Sequence, residues 1–310
     1  MKASQEHPLV SIQCMVYNHE PYLRQCLDGF VMQRTNFKFE AIVHDDVSTD
    51  GSAAIIREYA EKYPDIIKPI YETENQYSKK DGSLDRIMRE ACNGKYIAIC
   101  EGDDFWFDPL KLQEQVDFLD ANPEYSMCFH NAAIKLEDTT SSFEHIDVKD
   151  REYCAEELFM KWVVPTASIV IRTQAVPKSQ NSRIINGDIN IVLSAVTHGR
   201  VMGLSQCMSV YRIQTQGLTI KRERENRVQL LGQYIHHYKL LYEQYPKIGK
   251  KNRNLKLCDT YVNLCTEVYY SNPIKAIGYL VMAIVYSPSR FVNRVRNLYI
   301  KVKNKKHYLR

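Results

Sequence analysis

The chain has 310 residues, 45% of them apolar, and shows no internal repeat or low-complexity segment, which excludes a fibrous or disordered protein and allows one large core with a smaller appendage. Nine cysteines, at positions 14, 26, 92, 100, 128, 154, 207, 258 and 265, include no CxxC pair, which argues against both a zinc site and a disulfide framework. The net charge of +4 hides a division: residues 1–220 carry 22 Lys and Arg against 32 Asp and Glu, a balance of −10, while residues 221–310 carry 19 against 5, a balance of +14.

A basic segment joined to an acidic one points to an anionic surface, either a membrane or nucleic acid. Residues 1–8 are polar, without an apolar stretch of signal-peptide type, so the expected compartment is the reducing cytoplasm. Residues 9–16 then read as a first strand, and Asn18-His19-Glu20-Pro21 opens a helix to about Gln33. A second strand over 39–44 is followed by the polar run 45–52 and a helix over 53–62. This strand, helix, strand, helix order is the parallel, doubly wound pattern. Residues 66–71 give a third strand, a polar loop spans 72–82, and a helix over 83–92 stops at Asn93-Gly94.

The next strand carries the strongest signal. Residues 96–100 have the length and the β-branched, aromatic character of a strand buried on both faces. Glu101, Gly102, Asp103 and Asp104 follow it at once. In open α/β sheets ligands bind beyond such strand ends. Oxygen ligands one residue apart, as in Glu101 and Asp103, suit an Mg2+ or Mn2+ ion that also holds substrate phosphates. Asp108-Pro109 reads instead as the cap and first residue of a helix over 110–119. Beyond Pro123 the pattern predicts strands over 126–136 and 166–172, separated by the polar segment 137–152. A helix follows over 186–197, ended by Gly199, and a strand over 201–213. This half is less regular and reads as mixed or antiparallel. From Lys221 onward the pattern is helical, with breaks near Tyr245-Pro246 and Ser271-Asn272-Pro273.

Six pieces, each at a strand end and in this order, resemble family 2 glycosyltransferases of the GT-A fold, of the bacterial polysaccharide-assembly type, over residues 8–217. They are residues 10–18, 45–52, 94–98 and 101–104, then Gly187-Asp188 and Tyr211-Arg212. The resemblance implies an α/β fold, a doubly wound mixed sheet with flanking helices, as the domain 1–220. Residues 221–310 then form a C-terminal helical extension. It implies that Met15, Tyr17, Asn18, Glu20, Asp45 and Asp46 hold the nucleotide of a nucleotide-sugar donor; an Asp carboxylate can accept from a uracil imide N–H. Thr49 and Asp50 suit an Asx-turn and helix cap. Arg86 falls where the family often has an arginine near the nucleotide, and a surface ion pair explains it equally well.

Glu101 stands where the family usually has Asp, which leaves Asp103 as the metal ligand, with Gly102 and Asp104 beside the donor. Arg212 and Gln214 fall in a stretch near the diphosphate, where Gln214 replaces a frequent His. Asp188 is the implied catalytic base for an inverting, metal-dependent hexosyl transfer, although its place at a helix start also suits a cap. Trp106 and Trp162 are aromatic enough to stack on a sugar, Trp162 fitting a core or an acceptor wall as well.

The tail adds an apolar run over 274–286, too short to span a bilayer. Residues 287–310 then carry eight Lys and Arg and no acid. Phe291, Val292, Val295, Leu298, Tyr299 and Val302 share one helical face, a composition suited to an anionic membrane interface; a solvated helix packed on the enzyme is the alternative. No aromatic-interleaved basic motif suggests nucleic acid. The expected function is transfer of a sugar, from a UDP-sugar by preference, to a saccharide or lipid-linked acceptor in cell-surface polysaccharide synthesis, in the cytoplasm or at the inner face of the plasma membrane. Rival readings are a catalytically degenerate scaffold and a sugar-1-phosphate nucleotidylyltransferase, although the latter wants a glycine-rich, Arg-bearing loop where Tyr17-Asn18-His19-Glu20-Pro21 stands. A P-loop ATPase is excluded by the absence of a GxxxxGK run.

Overall fold

The computed structural model describes residues 7–136, 144–178, 181, 183–214 and 226–307. The chain falls into two compact units, one of residues 1–182 and 186–215 and the other of residues 183–185 and 216–310. The boundary expected at 220/221 lies outside the described residues.

The first unit is built on one mixed sheet. Strands β1 (Val10–Val16), β2 (Phe39–Asp45), β3 (Ile67–Tyr71) and β4 (Tyr96–Ile99) run parallel in the order β3-β2-β1-β4. Helices α1 (Glu20–Val31), α2 (Ser52–Lys62) and α4 (Ser83–Ala91) make the crossovers. A short helix, α3 (Gln76–Lys79), occupies part of the expected loop over 72–82.

The sheet then continues through strands of both directions. Short β5 (Phe105–Trp106) leads to helix α5 (Lys111–Ala121) and the long β6 (Tyr125–Leu136). Minor strands β7 (Glu144–His145) and β8 (Arg151–Glu152) precede α6 (Ala155–Met160), β9 (Val170–Arg172), α7 (Gly187–His198) and β10 (Arg200–Ile213). β9 lies antiparallel between β4 and β6, β10 runs parallel to β6, and β5 closes the order antiparallel to β10. The strand expected over 166–172 is shorter, because Thr166–Ser168 forms a 3-10 turn before β9.

Alternation along β4 explains its unbroken apolar sequence. Tyr96 and Ala98 face the core formed with α1 and α5, and Ile97 and Ile99 face the core formed with α7 and β6. A strand covered on both faces has no polar side to show. Helix α1 turns Leu23, Cys26, Leu27 and Phe30 inward at helical spacing. Its Gly29 lies so close to β5 that an added Cβ would come within 2.7 Å of the Trp106 carbonyl oxygen. Asp108 is not the cap of α5: the helix begins at Lys111, and the Asp108 carboxylate accepts from the Leu110 N–H in a tighter turn.

The second unit consists of helices α8 (Arg227–Gln244), α9 (Lys250–Val268), α10 (Pro273–Tyr286) and α11 (Pro288–His307). α9 packs Cys258, Tyr261, Val262 and Leu264 against Ala283 and its neighbours on α10. The tail face expected from the sequence does not stay together. Phe291 packs inward with this cluster, whereas Val292 and Val295 are exposed, and the side chains of Leu298, Tyr299 and Val302 lie outside the described residues. Among the described residues no helix is long and apolar enough to cross a membrane. None of the nine cysteines is in a disulfide.

Candidate active site

The segments after β1, β2 and β4 are bonded side by side, which aligns their first residues. The Gly102 N–H donates to the Met15 carbonyl at 3.1 Å, and the Asp46 N–H to the Val16 carbonyl at 2.9 Å. Gly102 is required by crowding, since a Cβ there would lie 2.8 Å from His19 Nδ1 and 3.0 Å from the Val16 side chain.

Four acidic side chains face one another at this edge. Burial first, and then the charges of Asp188, Asp103 and Asp104, push the Glu101 carboxyl well above the usual range. Asp104 is buried and accepts from the Arg212 N–H at 2.8 Å. Burial and the Asp103 charge push it up as well, against the pull of Arg212. Asp188, in the first turn of α7, accepts from the Thr166 hydroxyl at 2.8 Å. Burial raises its pKa and the Thr166 bond draws it partly back. Asp103 is half-buried, as Glu101 and Asp188 are: its Oδ2 accepts from Gln214 Nε2 at 2.9 Å and lies 4.0 Å from His19 Nε2.

His19, Gln25 and Thr166 belong to the site although no motif singles them out as site residues. Burial lowers the His19 pKa despite the nearby Asp103 and Asp50 carboxylates, and its Nδ1 is buried without a hydrogen-bond partner. Arg212 is committed to the turn. Its guanidinium donates to the Asp103 carbonyl and to Gln25 Oε1, over the rings of Phe105 and Tyr22.

The residues expected around the nucleotide divide into two groups. Met15 is half-buried, Tyr17 is 43% exposed, and Asp45 is buried with Oδ1 lacking a hydrogen-bond partner. Asn18, Glu20 and Asp46 are instead occupied with backbone N–H groups. Asn18 Oδ1 accepts from Thr49 N at 2.7 Å, Glu20 Oε2 from Gly51 N at 2.7 Å, and the Asp46 carboxylate from Gln76 N at 2.6 Å and Tyr77 N at 3.0 Å. The loop between them holds Val47 at φ 66°, a strained conformation for a β-branched residue. Arg86 is exposed on α4.

Trp106 is not available to stack on a sugar. It is 1% exposed, donates from Nε1 to the Ala167 carbonyl at 2.7 Å and packs on Phe30. The odd positions of β5 and the turn face outward and the even ones inward, a parity that the motif alone does not reveal. Trp162 is 45% exposed and so is not core.

Among the described residues no three His, Cys, Asp or Glu side chains come together as a cage for a metal ion. The donor set is the half-buried Asp103 carboxylate beside the His19 imidazole, with the half-buried Glu101 two residues before it. That set fits a divalent cation which takes its remaining ligands from a diphosphate and water.

The sequence matches the model described as Glycosyl transferase family 2 over residues 11–176. It is 36% identical over 213 residues to the uncharacterized protein Rv1520 of Mycobacterium tuberculosis (strain ATCC 25618 / H37Rv), covering 67% of this chain and 60% of that protein. The chain thus spans less than two thirds of the length of that relative. It is 24% identical over 210 residues to TuaG of Bacillus subtilis (strain 168), put forward by name as a teichuronic acid biosynthesis glycosyltransferase, covering 66% of this chain and 79% of that one. The fold is similar to that of S. aureus TarS 1-349 in complex with UDP-GlcNAc, with TM-score 0.62, 15% identity and coverage of 91% of this chain and 82% of that one. It is also similar to the mannosyltransferase PcManGT of Pyrobaculum calidifontis in complex with GDP-Man and Mn2+, with TM-score 0.60, 16% identity and coverage of 96% and 89%.

Proposed function

The chain belongs to glycosyl transferase family 2 and has the GT-A type of fold, and from that premise we propose that it is an inverting glycosyltransferase moving a sugar from a nucleotide diphosphate sugar to a saccharide or lipid-linked saccharide. The observation that carries this reading is the meeting of Asp188 with Glu101, Asp103 and Asp104, close enough for its charge to act on Glu101 although 87 residues separate them in sequence. One group can take a proton while the others face the departing diphosphate.

Asp188 accepts the proton of the acceptor hydroxyl. The acceptor oxygen bonds to the anomeric carbon as the bond from that carbon to the diphosphate oxygen breaks. The raised pKa of Asp188 makes it a stronger base, and Thr166 fixes its carboxylate. Asp103 would hold Mg2+ or Mn2+, which supplies charge neutralisation for the leaving diphosphate. Asp45, with Met15 and Tyr17 near it on β1 and its end, is the candidate for the nucleotide base. Gln214 and the Asp103 turn propped by Arg212 lie on the diphosphate side.

A role in cell-surface polysaccharide assembly is supported by the similarity to TuaG. A place at the cytoplasmic face of the plasma membrane, against anionic lipid, is supported by the basic second unit and the unpaired cysteines. UDP is the favoured nucleotide; the two structural neighbours carry UDP-GlcNAc and GDP-Man.

The test is a binding titration with UDP-, GDP- and dTDP-sugars, with and without Mn2+, on the wild type and Asp103→Ala. Metal-dependent binding of one nucleotide class, lost in the variant, is the expected result. A folded protein that binds none of them is a scaffold, and the proposal fails.

A further inference from the structure

Helix α10 presents an outward face with no charge. Ile274, Ile277, Val281, Ile284 and Val285 are 85%, 62%, 53%, 42% and 67% exposed. At helical periodicity they fall, together with Gly278, within an arc of about 120°, and they extend over about 17 Å of the axis. The other side of the helix is already used: Ala276 and Ala283 are buried against α9, with Tyr279 and Met282 packed beside them. A helix on the surface of a globular protein turns polar residues to water. Five aliphatic side chains in one exposed stripe mark a contact surface instead.

Charge decides what contacts it. Residues 268–310 contain nine Lys and Arg and no Asp or Glu. A second copy of the chain would set this excess against itself, whereas an anionic lipid surface complements it. Helix α11 is the weaker candidate for insertion. Its Arg290 bonds Asp259 at 2.9 and 2.7 Å and its Arg294 bonds Asn263 at 2.7 Å, so both are turned to the protein, and Phe291 is packed inward. Lys275 on α10 and Arg296 on α11 are exposed.

We infer that α10 is the lipid-entering element, its aliphatic stripe lying in the interfacial layer of an anionic membrane while exposed basic residues meet the headgroups. This rests on the membrane-facing reading above and assigns the contact to α10 in place of the basic tail alone.

The experiment is co-sedimentation of the full chain with phosphatidylcholine vesicles with and without phosphatidylglycerol. It compares the wild type, the doubly substituted Ile277→Glu/Val281→Glu and the conservative Ile277→Leu/Val281→Leu. Donor binding with Mn2+ and the oligomeric state by light scattering are read on the same preparations. The expected result is binding to the anionic vesicles, roughly tenfold or more weaker in the Glu pair and retained in the Leu pair. Donor binding is expected to be equal in all three. The inference is overturned if the wild type ignores anionic vesicles, or if the Glu pair binds them as the wild type does. A wild-type dimer that the Glu pair converts to monomer overturns it too, in favour of a second copy. Loss of donor binding would count against the transferase reading and leave this comparison unaffected.

Discussion

At the scale of single residues, the same burial serves two ends. Asp188→Asn keeps an oxygen to accept from Thr166 and removes the proton acceptor. Transfer is expected to fall by roughly 100-fold or more with donor affinity unchanged, as initial rates and donor titration will show. Unaltered rates would leave Asp188 with a structural role alone, tying the first turn of α7 to Thr166 in place of the cap expected from the sequence, since the N-cap is Asn186. Lys111 lies in the core at 0% exposure, its Nζ without a hydrogen-bond partner and 3.9 Å from the Trp106 ring centroid. Burial pulls its pKa down to about 7, against the influence of Cys100 and Cys128. The folded value is therefore below the unfolded one. Between about pH 7 and about pH 10 the unfolded chain holds a proton that the folded chain has released, so this group makes stability rise with pH. Lys111→Met should stabilise the protein at neutral pH by on the order of 2 to 4 kcal/mol. Urea unfolding at several pH values should show that gain narrowing as pH rises.

At the scale of elements, helices α1 and α2 are joined at their starts by a reciprocal set of bonds. Asp50 accepts from Glu20 N at 3.0 Å and Ser52 N at 2.9 Å, while Glu20 accepts from Gly51 N and the His19 N–H donates to the Ser52 hydroxyl at 2.9 Å. Asp50→Ala is expected to cost roughly 1–2 kcal/mol, as the loss of a helix cap does, measurable by denaturant unfolding. An unchanged midpoint would mean that water replaces the carboxylate at no cost. These bonds also show what the sequence could and could not convey. Strand and helix periods marked the elements to within a few residues, and Asp50 was legible in an Asx-turn because its partner Ser52 is local, although Gly51 is the residue that caps α2. Asn18, Glu20 and Asp46 were not, because their N–H partners lie 30 or so residues away on another loop. A polar side chain at a strand end serves a ligand or a neighbouring backbone according to that distance. Motif order singled out Asp103 and Asp188, and the fold brings both beside Glu101. Trp106 was not legible, since a one-residue change of parity moves a side chain between pocket and core.

At the scale of the whole molecule, the acidic first unit and the basic second unit differ in character: a cluster of four carboxylates in one, an excess of basic residues with an exposed aliphatic stripe in the other. The first unit has its own order of assembly. Strand β10 closes the sheet, pairing with β5 and β6, and its end supplies the Arg212 and Gln214 bonds that hold the Asp103 turn, 108 residues and more away in sequence. Contacts of such long range form late, because the intervening chain must first be gathered. During synthesis the parallel half, β1 to β4, can therefore collapse while the carboxylate turn still lacks its props. A nascent chain that has not yet released β10 from the ribosome carries every acidic group of the motif and still lacks the bonds that give those groups their places.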